Sequence, residues 1–600
     1  MSQFAFFWGL IVLKFAGIRW VVSVLFCAVP TSVWGLQSSL VNVTPLPRSA
    51  GVQIDNSEST SRKNMVASVH PLATQAGVEA FAKGGNAIDA AIATALTLGV
   101  IDNFNSGIGG GCFILIRTAN GEVFAIDGRE MAPAAATQDL FRNAKSRFVN
   151  PSQTGALASG VPGALKAYAQ AVAQHGRLDL QASLIKGMEA AENGFQVTEA
   201  YAAKLRIAKK AMLQFPSAVD VFFRPDPKTG QLEPYRAGEV LKQADLAKTY
   251  RKISQEGTDW FYRGRFSELT EEWMKANDGI MTANDFTKYR TVNRRPVRST
   301  YRDFEVFGFP PPSSGGVHVA QVLNILEQFD LAEMYQRDRA GFYHVVAEAM
   351  KLAFADRAFW LGDPDYVDVP RGLIEKSYAK ELAGKIKMNS VLTTDHGMPP
   401  DAATDFFERH TTHVAAADSE GNWVALTTTV NTTFGAKYVI PGTGVIMNNQ
   451  MDDFVAFPGK PNAFGLIGGE NNAVASGKRP LSSMSPTIVL KDGKPILTVG
   501  AAGGPKIITE VLWAIINHLD LEMPIGKAIA APRLHHQWAP KQLLLETSFD
   551  NRIAEQLTAK QHLMKRSSSM GICQGISFDA DTGLFTGAFD PRTTGSAAGE

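Results

Sequence analysis

Residues 411–435 read TTHVAAADSEGNWVALTTTVNTTFG, and the reading of the whole chain turns on them. HVAAAD and WVALTTTV are short runs of apolar and β-branched residues, and Ser419–Asn422 (SEGN) supplies a turn between them, so the pattern predicts a β-hairpin. Hydroxyl groups crowd one end of it. Thr411 and Thr412 open the first strand, while Thr427, Thr428, Thr429, Asn431, Thr432 and Thr433 close the second. In an antiparallel pair the start of one strand lies beside the end of the next, which puts Thr411 near Thr429 and Asn431. Threonine also suits any pleated surface, so the hairpin alone does not specify chemistry.

The chain around it has 600 residues, enough for a large core and more than an average domain. Its net charge of +1, with acids and bases interleaved, lacks the basic stripe that phosphate backbones require, so nucleic acid is not an expected partner. Cys27, Cys112 and Cys573 are too few for a disulfide framework, and neither a CxxC nor a zinc spacing is present. Cys112, in GGGCFILI, reads as a buried thiol heading a strand. Residues 4–35 are apolar but interrupted by Lys14 and Arg19, so neither arm reaches the roughly 18–20 residues of a membrane span. Trp20–Ala28 fits the apolar centre of a secretory signal, with Val33 and Gly35 at a cleavage site. The expectation is a signal peptide over 1–35 and export to a periplasm or beyond. An uncleaved membrane anchor is the alternative, and a polar tail over 36–63 follows.

Helix and strand signals alternate from there. Met65–His70 reads as a strand, Pro71 starts a helix that ends at Gly84-Gly85, and Asn86 caps AIDAAIATALTLGV. CFILIRT and EVFAID are strands, KAYAQAVAQ, LIKGMEAAENG and RAGFYHVVAEAMKLAFADRAFW are helical, and 376–410 reads as a loose connector running into Thr411. TIVLKDGKPILTVG is a second hairpin, followed by the helix ITEVLWAIINHL. Strand pairs followed by helices fit an α/β (α+β) fold in which two packed sheets are covered by helices on both sides.

TTH, NTTFG, NNQMDDF and KRPLSSMSPT, in this order and spacing, resemble the γ-glutamyltransferase (γ-glutamyltranspeptidase) family of N-terminal-nucleophile hydrolases. The resemblance covers nearly all the chain after about residue 60 and implies a four-layer αββα sandwich. It further implies autoproteolysis between His410 and Thr411, giving a large subunit (64–410) and a small subunit (411–600) that together form one folded heterodimer. The physical reason is that an internal threonine has no strong base beside it. At a chain start its own α-amine, titrating near ~8, serves as that base. Thr429 matches the threonine that hydrogen-bonds the nucleophile and assists processing.

The same resemblance marks a substrate pocket and an oxyanion site. A γ-glutamyl donor carries a carboxylate and an ammonium on one carbon. Arg129, in DGREMAP, suits the carboxylate because a guanidinium binds it bidentately, and Ser482 and Ser483 add donors. Asp453 suits the ammonium, with Asn431 and Gln450 beside it, and Asp452 is its neighbouring rival. Gly503 and Gly504, in GAAGGPK, match the glycines whose N–H groups hold the oxyanion. GAAGGPK lacks the Gly-Lys-Ser/Thr of a phosphate loop, and SGIGGG (106–111) lacks the dinucleotide fingerprint, so the latter reads as close backbone packing near Arg129. Residues 458–472 resemble the family's lid, with Phe464 where many bacterial members carry tyrosine.

The resulting expectation is a self-cleaving hydrolase and transferase acting on glutathione or other γ-glutamyl compounds, with water, amino acids or peptides as acceptors and no cofactor. His410 with His413 and the pair His535-His536 have no third ligand at metal spacing, so no metal is expected. Two rivals stand beside it: an acylase of the same superfamily acting on glutaryl β-lactams, and a periplasmic binding protein for γ-glutamyl peptides that never matures.

Overall fold

A computed structural model of the chain describes residues 57–142, 144, 146–399, 412–455, 463, 470–568 and 570–600. The expected signal peptide, the 410–411 junction and Phe464 lie outside them. Among the described residues no helix is long and apolar enough to cross a membrane.

Fourteen strands make the two large sheets. In chain order the first seven are β1 (Glu58–Ser61), β2 (Asn64–Ser68), β3 (Gly111–Arg117), β4 (Val123–Gly128), β5 (Val292–Arg294), β6 (Val297–Tyr301) and β7 (Phe304–Gly308). The rest are β8 (Thr412–Asp418), β9 (Trp423–Thr429), β10 (Thr487–Lys491), β11 (Lys494–Ala502), β12 (Ile572–Asp579), β13 (Leu584–Phe589) and β14 (Ser596–Ala598). One sheet runs β14-β2-β8-β9-β3-β4-β5 and the other β1-β13-β12-β11-β10-β7-β6.

The hairpin of residues 412–429 forms the middle of the first sheet, with Thr412 opposite Thr428 and Ala417 opposite Trp423. Its turn is held by Asp418, whose carboxylate accepts the N–H of Asn422 at 3.0 Å, and Gly421 supplies a φ of 96°. Both faces of the hairpin are buried, and the period-two alternation sorts them. Val414, Ala416, Val424 and Leu426 pack outward into a core shared with the helix Ala87–Ile101, which carries the expected Asn86 cap. Ala415, Ala417, Trp423 and Ala425 point inward and meet Ile488, Ile576 and Phe585 of the second sheet. A third core covers the far side of that sheet with the helices Gly315–Leu326, Arg339–Trp360 and Lys506–Leu519. The layers are therefore helix, sheet, sheet, helix.

Two segments depart from the sequence reading. Glu58–Ser61, inside the stretch read as a tail, pairs with β13 as an edge strand. The connector is not loose through its length: Lys376–Lys385 is a helix, and residues 386–399 are tied to their surroundings. Gly397 N–H donates to Asp356 at 2.6 Å, Leu392 N–H to Glu348 at 2.7 Å, and Trp538 Nε1 to the Thr394 carbonyl at 3.0 Å. Backbone groups pairing with buried side chains hold this polar segment without any apolar periodicity.

His413 shows how closely the sheets approach. Its ring is buried, its Nδ1 lies 3.0 Å from Thr427 Oγ1, and burial pushes its pKa down to about 3. A Cβ at Gly500 of β11 would come within 2.3 Å of that ring. Gly500→Ala is expected to cost about 1–3 kcal/mol through overpacking, read as a lower urea midpoint for the purified protein.

Candidate active site

The ends of the central strands converge on one region. Thr412 begins β8, Asn431 follows the end of β9, and Ala502 ends β11 opposite Ile572 at the start of β12. A cavity of about 750 Å³ opens there, lined among others by Thr412, Asn431, Thr432 and Gly503. Gly503 (φ 140°) and Gly504 (φ 70°) turn the chain from β11 into the helix Lys506–Leu519. A side chain at Gly503 would also strike Gly571 Cα at 2.8 Å, so two backbones meet at this corner.

Asn431 is set by its own backbone. At φ 79° it is in the left-handed region that asparagine tolerates, and its N–H donates to Thr429 Oγ1 at 2.8 Å. Its Nδ2 donates to the Asn449 carbonyl at 2.8 Å, while Asn449 itself clasps Thr432 through both ends of its amide. The next residue, Gln450, donates through Nε2 to Asp453 Oδ2. Because both amide NH₂ groups are spent on acceptors, their oxygens face the other way. Among the described residues the buried Asn431 Oδ1 and Gln450 Oε1 have no hydrogen-bond donor.

Arg129 completes the arrangement. It is fully buried, and its Nη2 lies 2.5 Å from Asp453 Oδ2. Nε donates to the Pro480 carbonyl at 2.8 Å and Nη2 to the Leu481 carbonyl at 3.0 Å, which brings the guanidinium to the extended segment that continues into Ser482 and Ser483. Ser482 Oγ accepts the Met484 N–H at 3.0 Å. Ser483 Oγ is bonded to Arg357 and lies 3.0 Å from Ser314 Oγ. The structure thus joins Thr429, Asn431, Gln450, Asp453, Arg129, Ser482 and Ser483 into one buried polar region. Gly503 lines the same cavity as Asn431, and Gly504 follows it in the chain. Asp452, the rival of Asp453, turns elsewhere and accepts from Ser152 Oγ at 2.5 Å.

Several residues at the site carried no signal of their own. Glu130 lies 3.6 Å from Arg129, and burial pushes its pKa up to about 7 against the pull of that guanidinium. Arg357 and Ser314 brace Ser483 from helices distant in sequence. Asn449 was visible only as part of NNQMDDF. SGIGGG does pack closely: a Cβ at Gly110 would fall 1.8 Å from the Thr429 carbonyl oxygen, and one at Gly111 2.2 Å from Glu130. Cys112 is buried and its thiol pKa is driven well up by burial. His535 bonds Thr509 and Gln537, each at 2.9 Å, as an ordinary core histidine does.

Comparison with known proteins places this geometry. Residues 73–600 match the gamma-glutamyltranspeptidase family. The chain is 42% identical over 539 residues to the glutathione hydrolase proenzyme of Escherichia coli (strain K12), covering 89% of this chain and 91% of that protein. It is 36% identical over 567 residues to the acylase ACY 1 proenzyme of Pseudomonas sp. (strain SE83), covering 92% and 96%. Among solved structures, a cephalosporin acylase from Bacillus halodurans superposes with a TM-score of 0.81 at 29% identity, covering 93% of this chain and 99% of that one.

The Arg129–Asp453 pair is wholly buried, so removing one partner strands the other charge. Arg129→Met is expected to cost about 3–5 kcal/mol, and the double variant Arg129→Met/Asp453→Leu to recover part of that loss, measured by urea denaturation of the purified proteins.

Proposed function

The chain belongs to the gamma-glutamyltranspeptidase family, and from that premise we propose that it is a self-processing enzyme whose donor is glutathione or a related γ-glutamyl compound. The observation that carries the reading is the pair of buried, undonated oxygens of Asn431 and Gln450 beside the Asp453 carboxylate. Two undonated amide oxygens close to an ionised carboxylate suit an ammonium group. Arg129, a few ångströms away, suits the carboxylate on the same carbon.

The register that sets Thr412 opposite Thr428 supports a place for position 411 beside Thr429. In the proposed maturation, Thr411 Oγ attacks the His410 carbonyl, the peptide C–N bond breaks, and water cleaves the resulting ester to leave a free α-amine on Thr411. In turnover that amine takes the hydroxyl proton as Oγ attacks the γ-amide carbon, then returns it to the departing amine. Gly503 and Gly504 are the proposed oxyanion donors, each worth on the order of 3 kcal/mol. The γ-glutamyl ester then passes to water or to an amine, and the freed Thr411 oxygen recovers its proton. The two products of the cut remain together as a heterodimer, and the apolar segment in 4–35 supports export.

Thr411→Ala is expected to abolish both cutting and turnover. Denaturing electrophoresis should then show one full-length band in place of two, and N-terminal sequencing of the wild-type small fragment should begin at Thr411. An active protein that remains uncut would remove the proposed base. The likeness to the acylases makes the head group the deciding question. Release from a γ-glutamyl anilide is expected to exceed release from the matching glutaryl anilide at least tenfold, because the glutaryl group leaves Asp453, Asn431 and Gln450 without their ammonium. The reverse order would favour the acylase reading.

A further inference from the structure

Behind Ser483 lies a second buried arginine. Arg357, from the helix Arg339–Trp360, is wholly buried, as are Ser314 and Ser483. Its Nη2 donates to Ser483 Oγ, and its Nε donates to Ser314 Oγ at 2.8 Å. Ser314 stands at the N-cap of the helix Gly315–Leu326, where a serine ordinarily accepts an N–H of the first turn. Here its side chain makes no capping bond. Its hydroxyl proton goes instead to the Ser482 carbonyl, at 2.8 Å. That fixes the direction of the remaining contact. Ser314 has one proton and has given it away, so across the 3.0 Å between the two hydroxyls Ser483 is the donor and Ser314 the acceptor. The backbone of this segment is clamped independently, the Ser314 N–H donating to the Ser482 carbonyl and the Ser482 N–H to the Pro312 carbonyl, each at 2.7 Å. What Arg357 governs is therefore the hydroxyl of Ser483 rather than the path of the chain.

We infer that Arg357 is a positioning residue for the donor's α-carboxylate: it holds Ser483 Oγ by a lone pair, so that the hydroxyl proton, resting on Ser314 in the free protein, turns to the carboxylate when the donor binds. The inference rests on the γ-glutamyl reading above, in which Ser482 and Ser483 add hydrogen-bond donors beside Arg129. The switch moves a hydroxyl hydrogen and no heavy atom. A hydroxyl that accepts from a guanidinium is the better donor, because each bond in a buried chain polarises the next. The buried cation also attracts an anion on the far side of that hydroxyl. A ligand that keeps the ammonium but lacks the carboxylate gains nothing from Arg357, which separates positioning from general support of the fold.

The test measures inhibition of nitroaniline release from γ-glutamyl-p-nitroanilide by L-glutamate and by 4-aminobutyrate, which differs from glutamate only in lacking the α-carboxylate. The wild-type protein is expected to bind glutamate about tenfold or more tighter than 4-aminobutyrate. Arg357→Gln should weaken glutamate and raise KM for the anilide about tenfold, the scale of one lost charge-assisted hydrogen bond. Both kcat and the binding of 4-aminobutyrate should stay within about threefold, as loss of uniform binding requires. Arg357→Lys keeps the buried charge but not the fork that reaches both hydroxyls, and should weaken glutamate about threefold; it decides the matter alone if Arg357→Gln does not fold. In a Ser483→Ala background Arg357→Lys should change the ratio of the two ligands no further. Equal weakening of both ligands, an unchanged ratio, or the full effect persisting without the Ser483 hydroxyl overturns the inference and leaves the activity reading intact. Failure of the wild-type protein to release nitroaniline, or to prefer glutamate, overturns the γ-glutamyl reading and this inference with it.

Discussion

The antiparallel pairing of Thr412–Asp418 with Trp423–Thr429 is the constraint on which the rest of the molecule depends. This hairpin sits in the middle of its sheet, bounded by β2 on one side and β3 on the other, and both of its faces are buried. A strand in that position cannot slip by one residue without exchanging the face that meets the helices for the face that meets the second sheet. Its start is therefore fixed in space. That is the property a reacting group at a chain start needs, and it does not rely on the covalent bond that precedes the strand. In the proposed maturation both neighbours of the hairpin belong to the other product, and the ladder hydrogen bonds would keep the two together.

The polar site is built from backbone as much as from side chains. Arg129 is held by the carbonyls of Pro480 and Leu481 as well as by Asp453, and Asn431 by Thr429 and the Asn449 carbonyl. In the proposed reading, fixing these groups before substrate arrives lowers the ordering cost of binding. The glycines of 109–111 serve the same end from behind. They let their own stretch of chain lie between the Thr429 carbonyl and Glu130, the neighbour of Arg129, where any side chain would collide with backbone or with Glu130.

Much of this was legible in the residues. The apolar and β-branched runs HVAAAD and WVALTTTV mark a hairpin, the SEGN turn joins them, and DGREMAP, NNQMDDF and PLSSMSP place charge and amide groups at definite positions. These are local properties, governed by neighbours two to four residues away. The motifs, through their resemblance, also named the residues that the fold later gathered.

What only the tertiary structure decided is of another kind. Asp453 faces Arg129 while Asp452 turns to Ser152, and adjacent identical residues cannot be told apart without the surroundings of each. Ser483 is braced by Arg357 across 126 positions of chain, and the polar stretch 386–399 is ordered by Asp356, Glu348 and Trp538, which no periodicity within it announces. Lys204 and Lys565, which line the same cavity, come from segments more than 350 residues apart. Burial, hydrogen-bond completion and charge balance depend on which groups arrive from elsewhere, so the chain's order alone could not reveal them.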